Sequence, residues 1–226
     1  MVIEIPELLT KEEVAEARAA LLAAEWVDGR ATAGHRAQTV KRNAQLAPEN
    51  PLAQKLSQLI LDRLARTPLF IAATLPLRIL PPKFNRYEGG GAYGNHVDNA
   101  IFPIPGTAQH VRSDISSTLF FSDPDDYDGG ELVIEDMFGE HRVKLPAGHL
   151  IVYPGSSLHR VTPVTRGARL AAFFWTQSLV ASDERRRTLF QLDNAIRSLS
   201  ADHPDHASVD ELTNVYHNLL RQWSTT

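Results

Sequence analysis

From Pro76 onward the sequence breaks into short β-rich runs: LRILPPKFNRYE, SSTLFFSD, GELVIED, EHRVKLP, HLIVYP, HRVTPV and ARLAAFFWTQS. Runs of this length between turn-forming stretches such as DPDDYDGG and PAGH have the spacing of a sandwich or barrel, not of β-α-β alternation. Asp, Gly and Pro each meet a particular backbone need in those turns. The β block therefore constrains the fold more than any other feature.

Helical patterns flank it. Residues 10–25 begin with a capping box, Thr10 with Glu13, and continue in strong helix formers. A second helix starts at Asn50-Pro51, with Leu52, Leu56, Leu59, Ile60 and Leu64 on one face. Between them lies a polar, basic stretch expected to be irregular or extended with exposed side chains, and His35 to Arg42 reads as a solvated face more readily than as an acidic-partner contact. Two more helices end the chain. One is capped by Ser182 and aligns Leu189, Leu192, Ile196 and Leu199; the other starts with a Ser208/Glu211 capping box and aligns Leu212, Val215, Tyr216, Leu219, Leu220 and Trp223. That last stripe requires burial and is read as a contact between identical subunits.

The chain has no cysteine, so thiolate chemistry and disulfides are excluded and any metal must be held by His and carboxylate. Its net charge of −4 gives no general attraction to nucleic acid or anionic membrane. No basic leader and no long apolar run is seen, which sets a soluble, cytoplasmic expectation.

Two H-x-D tripeptides occur, His96-Val97-Asp98 and His203-Pro204-Asp205. In a strand, residues i and i+2 share a face, so the first can set an imidazole beside a carboxylate. A third ligand is then needed, and His159, 61 residues after Asp98 and at the start of a β run, can supply it. Two His and one carboxylate on one side of a metal leave positions open, the facial arrangement of non-haem Fe(II) oxygenases. The second copy lies between helices with no later β run. Arg169, ten residues after His159, can hold a carboxylate bidentately. Tyr87 can donate toward the same co-substrate, Tyr93 is ambiguous, and Gly89-Gly90-Gly91 reads as a flexible hairpin or lid near the metal. Asp123, Asp125, Asp126 and Asp128 lack the spacing of a calcium loop and read as a solvated turn. His35, His110, His141, His149 and His217 have no partner assignable from sequence.

On FNRYEGGGAYGNHVD, SSTLFFSDPDDYDGGELVIEDMFGEHRVKLPAG, YPGSSLHRVTPVTRGARLAAFFWTQS and VYHNLLRQWS, the chain resembles the Fe(II)- and 2-oxoglutarate-dependent dioxygenases, and among them the bacterial PKHD-type hydroxylases with their prolyl 4-hydroxylase-like catalytic region. The resemblance covers nearly the whole chain. It implies an α+β fold, a double-stranded β-helix (jelly-roll, cupin-like) core with helical flanks, divided as 1–76, 77–178 and 179–226. It implies Fe(II) on His96, Asp98 and His159, 2-oxoglutarate on Arg169, O2 as co-substrate and ascorbate as a candidate addition. Hydroxylation of a small molecule, peptide or protein follows, and some relatives are associated with iron uptake. The competing reading is a non-catalytic cupin-like sensor of iron or 2-oxoglutarate acting through a protein partner. A zinc hydrolase is disfavoured by Arg169.

Overall fold

The computed structural model describes residues 1–32, 40–104 and 106–225; His35, in the basic stretch, lies outside them. Strand β1 (Ile3–Ile5) leads into helix α1 (Lys11–Ala23), and strands β2 (Val27–Asp28), β3 (Lys41–Arg42) and β4 (Ala44–Gln45) precede α2 (Pro51–Leu64) and α3 (Pro68–Thr74). Next come β5 (Pro76–Ile79), β6 (Lys83–Glu88), β7 (Ala92–His96), β8 (Ile101–Pro103), β9 (His110–Arg112) and β10 (Ile115–Phe120). The sheets are completed by β11 (Asp128–Gly129), β12 (Leu132–Asp136), β13 (Gly139–Val143), β14 (Leu150–Pro154), β15 (Leu158–Val161), β16 (Val164–Arg166) and β17 (Ala168–Ser178). Helices α4 (Asp183–Asp202) and α5 (Ala207–Trp223) follow.

The helix starts follow local chemistry. Thr10 and Glu13 form both halves of the capping box, and the Asn50 side chain accepts from Leu52 N–H ahead of Pro51. Helix α3 has no counterpart among the sequence expectations. It is short and stops at Leu75, which adopts φ 44° ahead of Pro76, a position where proline disfavours continued right-handed helix. Helix α5 begins earlier than expected: His206, not Ser208, is the cap, its side chain accepting from Ser208 N–H.

The larger sheet has the order β1-β14-β10-β17-β6-β4-β2, with β5 also paired to β17; the smaller runs β13-β12-β15-β7-β3. Alternation sorts the side chains of the larger sheet into two layers. Phe84, Leu119, Leu150, Val152, Leu170, Ala172 and Phe174 pack outward with Leu21, Leu56, Ile60 and Leu64 from α1 and α2. Tyr87, Phe120, Ile151 and Tyr153 point inward, where they meet Leu132, Ile134 and Val161 of the smaller sheet. Burying the outward layer against helices is what makes a two-faced β block stable in water. The result is the double-stranded β-helix with helical flanks.

The two sheets are joined directly by a tight corner. Gly89 (φ 55°) and Gly90 (φ 81°) both take the left-handed region, and Gly91 N–H returns to Glu88 O. Because β6 and β7 belong to different sheets, this is neither a hairpin nor a lid. Gly90 N–H donates to Val164 O and Val164 N–H to Gly91 O, which pin it. At the far end of the chain, Tyr216, Leu219, Leu220 and Trp223 of α5 pack against Leu75, Val180 and Leu189. The predicted stripe is thus partly covered within one chain: these four side chains stay half-buried, no residue of α5 is fully buried, and Val215 is 48% exposed.

Candidate active site

The space between the sheets holds a cavity of about 80 Å³, several times what one water needs. His96 and His159 face each other across the β7–β15 ladder as register partners, with ring centroids 4.2 Å apart. The ladder is irregular here: the two-residue step from His159 to Val161 is matched by the three-residue step from His96 back to Tyr93. That extra residue is a bulge, and it changes the parity of β7. Tyr93 and His96, which strict alternation would set on opposite faces, both reach the cavity and stack at 3.6 Å.

His96 is the last residue of β7, so Asp98 lies in the extended loop beyond the strand, not on it. The loop is held by Ser113, whose hydroxyl donates to Asn99 O at 2.6 Å and whose N–H donates to Ala100 O. Ser116 Oγ donates to Asp98 Oδ2 at 2.5 Å. Asp98 Oδ1 is then 3.9 Å from His96 Nε2, and Oδ2 is 3.8 Å from His159 Nε2. One donor atom from each of the three residues lies within 4.8 Å of the others.

The donor chemistry fits a divalent metal. Each imidazole has its Nδ1 against a backbone carbonyl, Gly94 O at 2.8 Å for His96 and Ser157 O at 3.0 Å for His159. A proton on Nδ1 leaves the Nε2 lone pair directed at the shared space. Burial, followed by the neighbouring His159, lowers His96 to about pKa 4, so it stays neutral and able to ligate at physiological pH.

Arg169, on β17, is 1% exposed and lies opposite Tyr87 in the β17–β6 ladder. Its guanidinium carbon is 5.0 Å from the Phe120 ring and 5.5 Å from the Tyr87 ring. Yet Nε and Nη1 make no hydrogen bond among the described residues. A buried cation with vacant donors is costly unless an anion reaches it. Tyr87, also buried, is pushed up to about pKa 12 by desolvation, so its hydroxyl keeps its proton.

Sequence reasoning missed three contributors. Lys41 belongs by sequence to an exposed basic stretch, but β3 pairs with β7 and places it at the cavity, 4% exposed. Burial, then Lys83, lowers its amine to about pKa 8. Ser116, in an unremarkable SSTLFF run, steadies Asp98. Tyr153 meets His159 edge-on, with ring centroids 5.2 Å apart. The alternation of HLIVYP sets Tyr153 opposite Leu150 and Val152, but nothing in the run distinguishes it from core.

The other candidates disperse. His203 caps the end of α4, away from any third ligand among the described residues. His141 pairs with Asp136, and His149 with Glu4. Asp126 and Asp128 pair with Arg18 and Arg166, consistent with a surface turn.

Against known proteins, the 2OG-Fe(II) oxygenase superfamily model matches residues 82–177, and the PKHD-type hydroxylase C-terminal domain model matches 183–225. A PKHD-type hydroxylase of Parvibaculum lavamentivorans is 57% identical over 226 residues, covering all of both chains. A PKHD-type hydroxylase of Bordetella pertussis is 60% identical over 224 residues, 99% of each. Among solved structures, a Pseudomonas putida prolyl-4-hydroxylase aligns with TM-score 0.51 and 21% identity, covering 78% of this chain and 92% of that one. A Trichoplax adhaerens prolyl hydroxylase in complex with a hypoxia inducible factor peptide fragment gives 0.55 and 16%, covering 83% and 86%. At these identities the two structures speak to the fold.

Proposed function

The chain belongs to the PKHD-type hydroxylases of the 2OG-Fe(II) oxygenase superfamily, and on that premise we propose that His96, Asp98 and His159 hold its iron while Arg169, beside Tyr87, holds the far carboxylate of 2-oxoglutarate. It is an enzyme of the iron- and 2-oxoglutarate-dependent class. The observation that carries the residue assignment is the pairing of a three-donor cluster with a buried arginine whose Nε and Nη1 lack partners among the described residues, both lining one cavity.

Iron bound there supplies the oxygen-insertion chemistry, R–H + O2 + 2-oxoglutarate giving R–OH + succinate + CO2. The chain's residues prepare that reaction. Gly94 O and Ser157 O hold the imidazoles in the ligating tautomer, and Ser116 fixes the carboxylate. Arg169 orients a dicarboxylate by a planar fork. No side-chain general base is required.

We further propose a link to iron uptake, a cytoplasmic location and a division of the chain into 1–76, 77–178 and 179–226. No helix among the described residues is long and apolar enough to cross a membrane. We also propose that subunits associate through the C-terminal helices, where the α5 stripe is only half-buried and Val215 is exposed, and light scattering at micromolar concentration tests it. The sensor reading shares the same ligands but predicts no oxidised product. Mass spectrometry of peptides and metabolites incubated with the Fe(II)-loaded protein, 2-oxoglutarate and O2 decides: a species gaining one oxygen supports the hydroxylase, and iron and 2-oxoglutarate binding with no such species supports the sensor.

A further inference from the structure

The inner face of β17 lays out residues 169, 171, 173 and 175, since Leu170, Ala172 and Phe174 point to the helices. At roughly 3.3 Å per residue this row is about 20 Å long. Arg169 marks its closed end. Trp175 pairs in register with Ser116, the residue that holds Asp98, and Phe173 pairs with Thr118. The metal cluster therefore stands at the Phe173–Trp175 end of the row, and a substrate reaches it from that side.

Three aromatic rings converge there. Phe102, from the small β8–β9 ribbon, stacks on Trp175 at 4.2 Å and 28°, and Phe173 meets Trp175 edge-on at 5.6 Å and 89°. Two amines stand against the same rings: Lys83 Nζ is 5.9 Å from the Trp175 centroid, and Lys41 Nζ is 6.0 Å from Phe173 and 5.3 Å from Tyr93. Asp98 is the one acidic side chain among the described lining residues.

Charge then narrows the substrate. With a divalent ion, Asp98, Arg169 and doubly anionic 2-oxoglutarate in place, the inner site sums to zero. Lys41, in the cavity lining, and Lys83, outside the lining but against the Trp175 ring, add positive charge beside that end, where partial burial weakens screening. A cationic substrate is repelled there. An anion is drawn in, and a flat ring finds matching faces beside it.

Resting on the reading of the site given above, we propose that the cavity mouth is a substrate subsite for a planar aromatic group carrying an acidic substituent, the ring seated among Phe102, Phe173 and Trp175 and the anion held by Lys41 and Lys83. The same chemistry is offered by a free aromatic acid and by an aromatic side chain flanked by acidic residues in a polypeptide.

The test is calorimetric titration of the anaerobic protein loaded with Fe(II) and 2-oxoglutarate. The probes are 3-phenylpropionate, its amide, 3-cyclohexylpropionate and a blocked Asp-Phe-Asp peptide. The phenyl acid or the peptide is expected to bind at least tenfold tighter than the amide and the cyclohexyl acid, and whichever of the two binds tighter identifies the source. Lys83→Gln, at a half-buried position that can change without unfolding the core, should weaken the acid several-fold and leave the amide unchanged; Lys41→Met should do the same. Equal binding of acid and amide, or of phenyl and cyclohexyl acids, overturns the proposal. Loading is measured first: failure to bind Fe(II) or 2-oxoglutarate removes the underlying site assignment, whereas normal loading with indiscriminate probes removes only the substrate class.

Discussion

Arg169 offers the sharpest separation between stability and binding. Replaced by Met, which keeps a long apolar stem, the site loses a buried charge whose Nε and Nη1 lack hydrogen-bond partners among the described residues. Such a charge costs several kcal/mol, offset in part by the two ring faces at 5.0 and 5.5 Å, worth about 0.5–2 kcal/mol each. The ligand-free variant should therefore be more stable than the parent by roughly 1–3 kcal/mol, at about 2–4 °C per kcal/mol for a chain of this size. The ligand response should move the other way. At a 2-oxoglutarate concentration of about 100 Kd the parent gains ~2.7 kcal/mol by mass action, a shift of roughly 5–11 °C. A 100-fold weaker variant gains only ~0.4 kcal/mol under the same conditions, about 1 °C. Arg169→Lys keeps charge but loses the fork, and forfeiting one charge-assisted hydrogen bond of about 1.5–3 kcal/mol weakens 2-oxoglutarate roughly 10- to 150-fold. Thermal scans with and without 2-oxoglutarate, using Mn(II) in place of iron, read both effects. The reasoning is refuted if Arg169→Met keeps the parent's ligand shift, or if its ligand-free form loses more than about 2 kcal/mol, because the guanidinium would then be satisfied by the protein itself.

His96→Ala, Asp98→Ala and His159→Ala should each abolish stoichiometric Fe(II) binding in anaerobic titration, and His203→Ala should retain it; retention in the His96 variant would reverse the choice of motif. Ser116→Ala removes the 2.5 Å donor to Asp98 and should lower metal affinity about 10- to 100-fold with little effect on unfolding, checked by competition with a chelator. Lys41, lowered to about 8 from 10.5, binds fewer protons folded than unfolded between those values, so its contribution to stability rises with pH across that window. At ~1.36 kcal/mol per pKa unit, Lys41→Met should exceed the metal-free parent by up to roughly 3 kcal/mol below pH 8, and urea titrations should show the gap closing toward pH 10.5. A pH-independent gap would count against a buried, perturbed amine.

What the sequence revealed and what it hid divide along local and long-range physics. Thr10, Glu13, Asn50 and Pro51 declare their helices through caps that act within four residues, and the structure keeps them. The β runs were readable because strand texture is likewise local. His96, Asp98, His159 and Arg169 could be named from spacing and resemblance, and the structure gathers them around one cavity. Lys41 could not, because its burial depends on a two-residue strand pairing with β7, a contact across some fifty residues that leaves no periodic trace. Ser116 was hidden for the same reason: its partner is a loop carboxylate 18 residues away. The C-terminal stripe was legible as a surface to be covered, but sequence does not say by what; Leu75, Val180 and Leu189 cover it in part, and Val215 stays exposed.

The bulge between Tyr93 and His96 makes the site a matter of counting. Asn95 is exposed and has only a 3.3 Å contact to Glu135 and a 3.4 Å contact from Arg160, so its identity is lightly constrained. The bulge around it is not. With three residues from Tyr93 to His96, only the break in the pleat brings both rings to one face. Deleting residue 95 would set the tyrosine and the histidine two apart, a spacing that regular pleating already keeps on one face and that matches the two-residue step from His159 to Val161. The bulge thus corrects an odd spacing, and related chains should carry the extra residue together with the bulge or neither of them. A library that varies residue 95 should stay active across most substitutions, and its single-residue deletion should still bind metal.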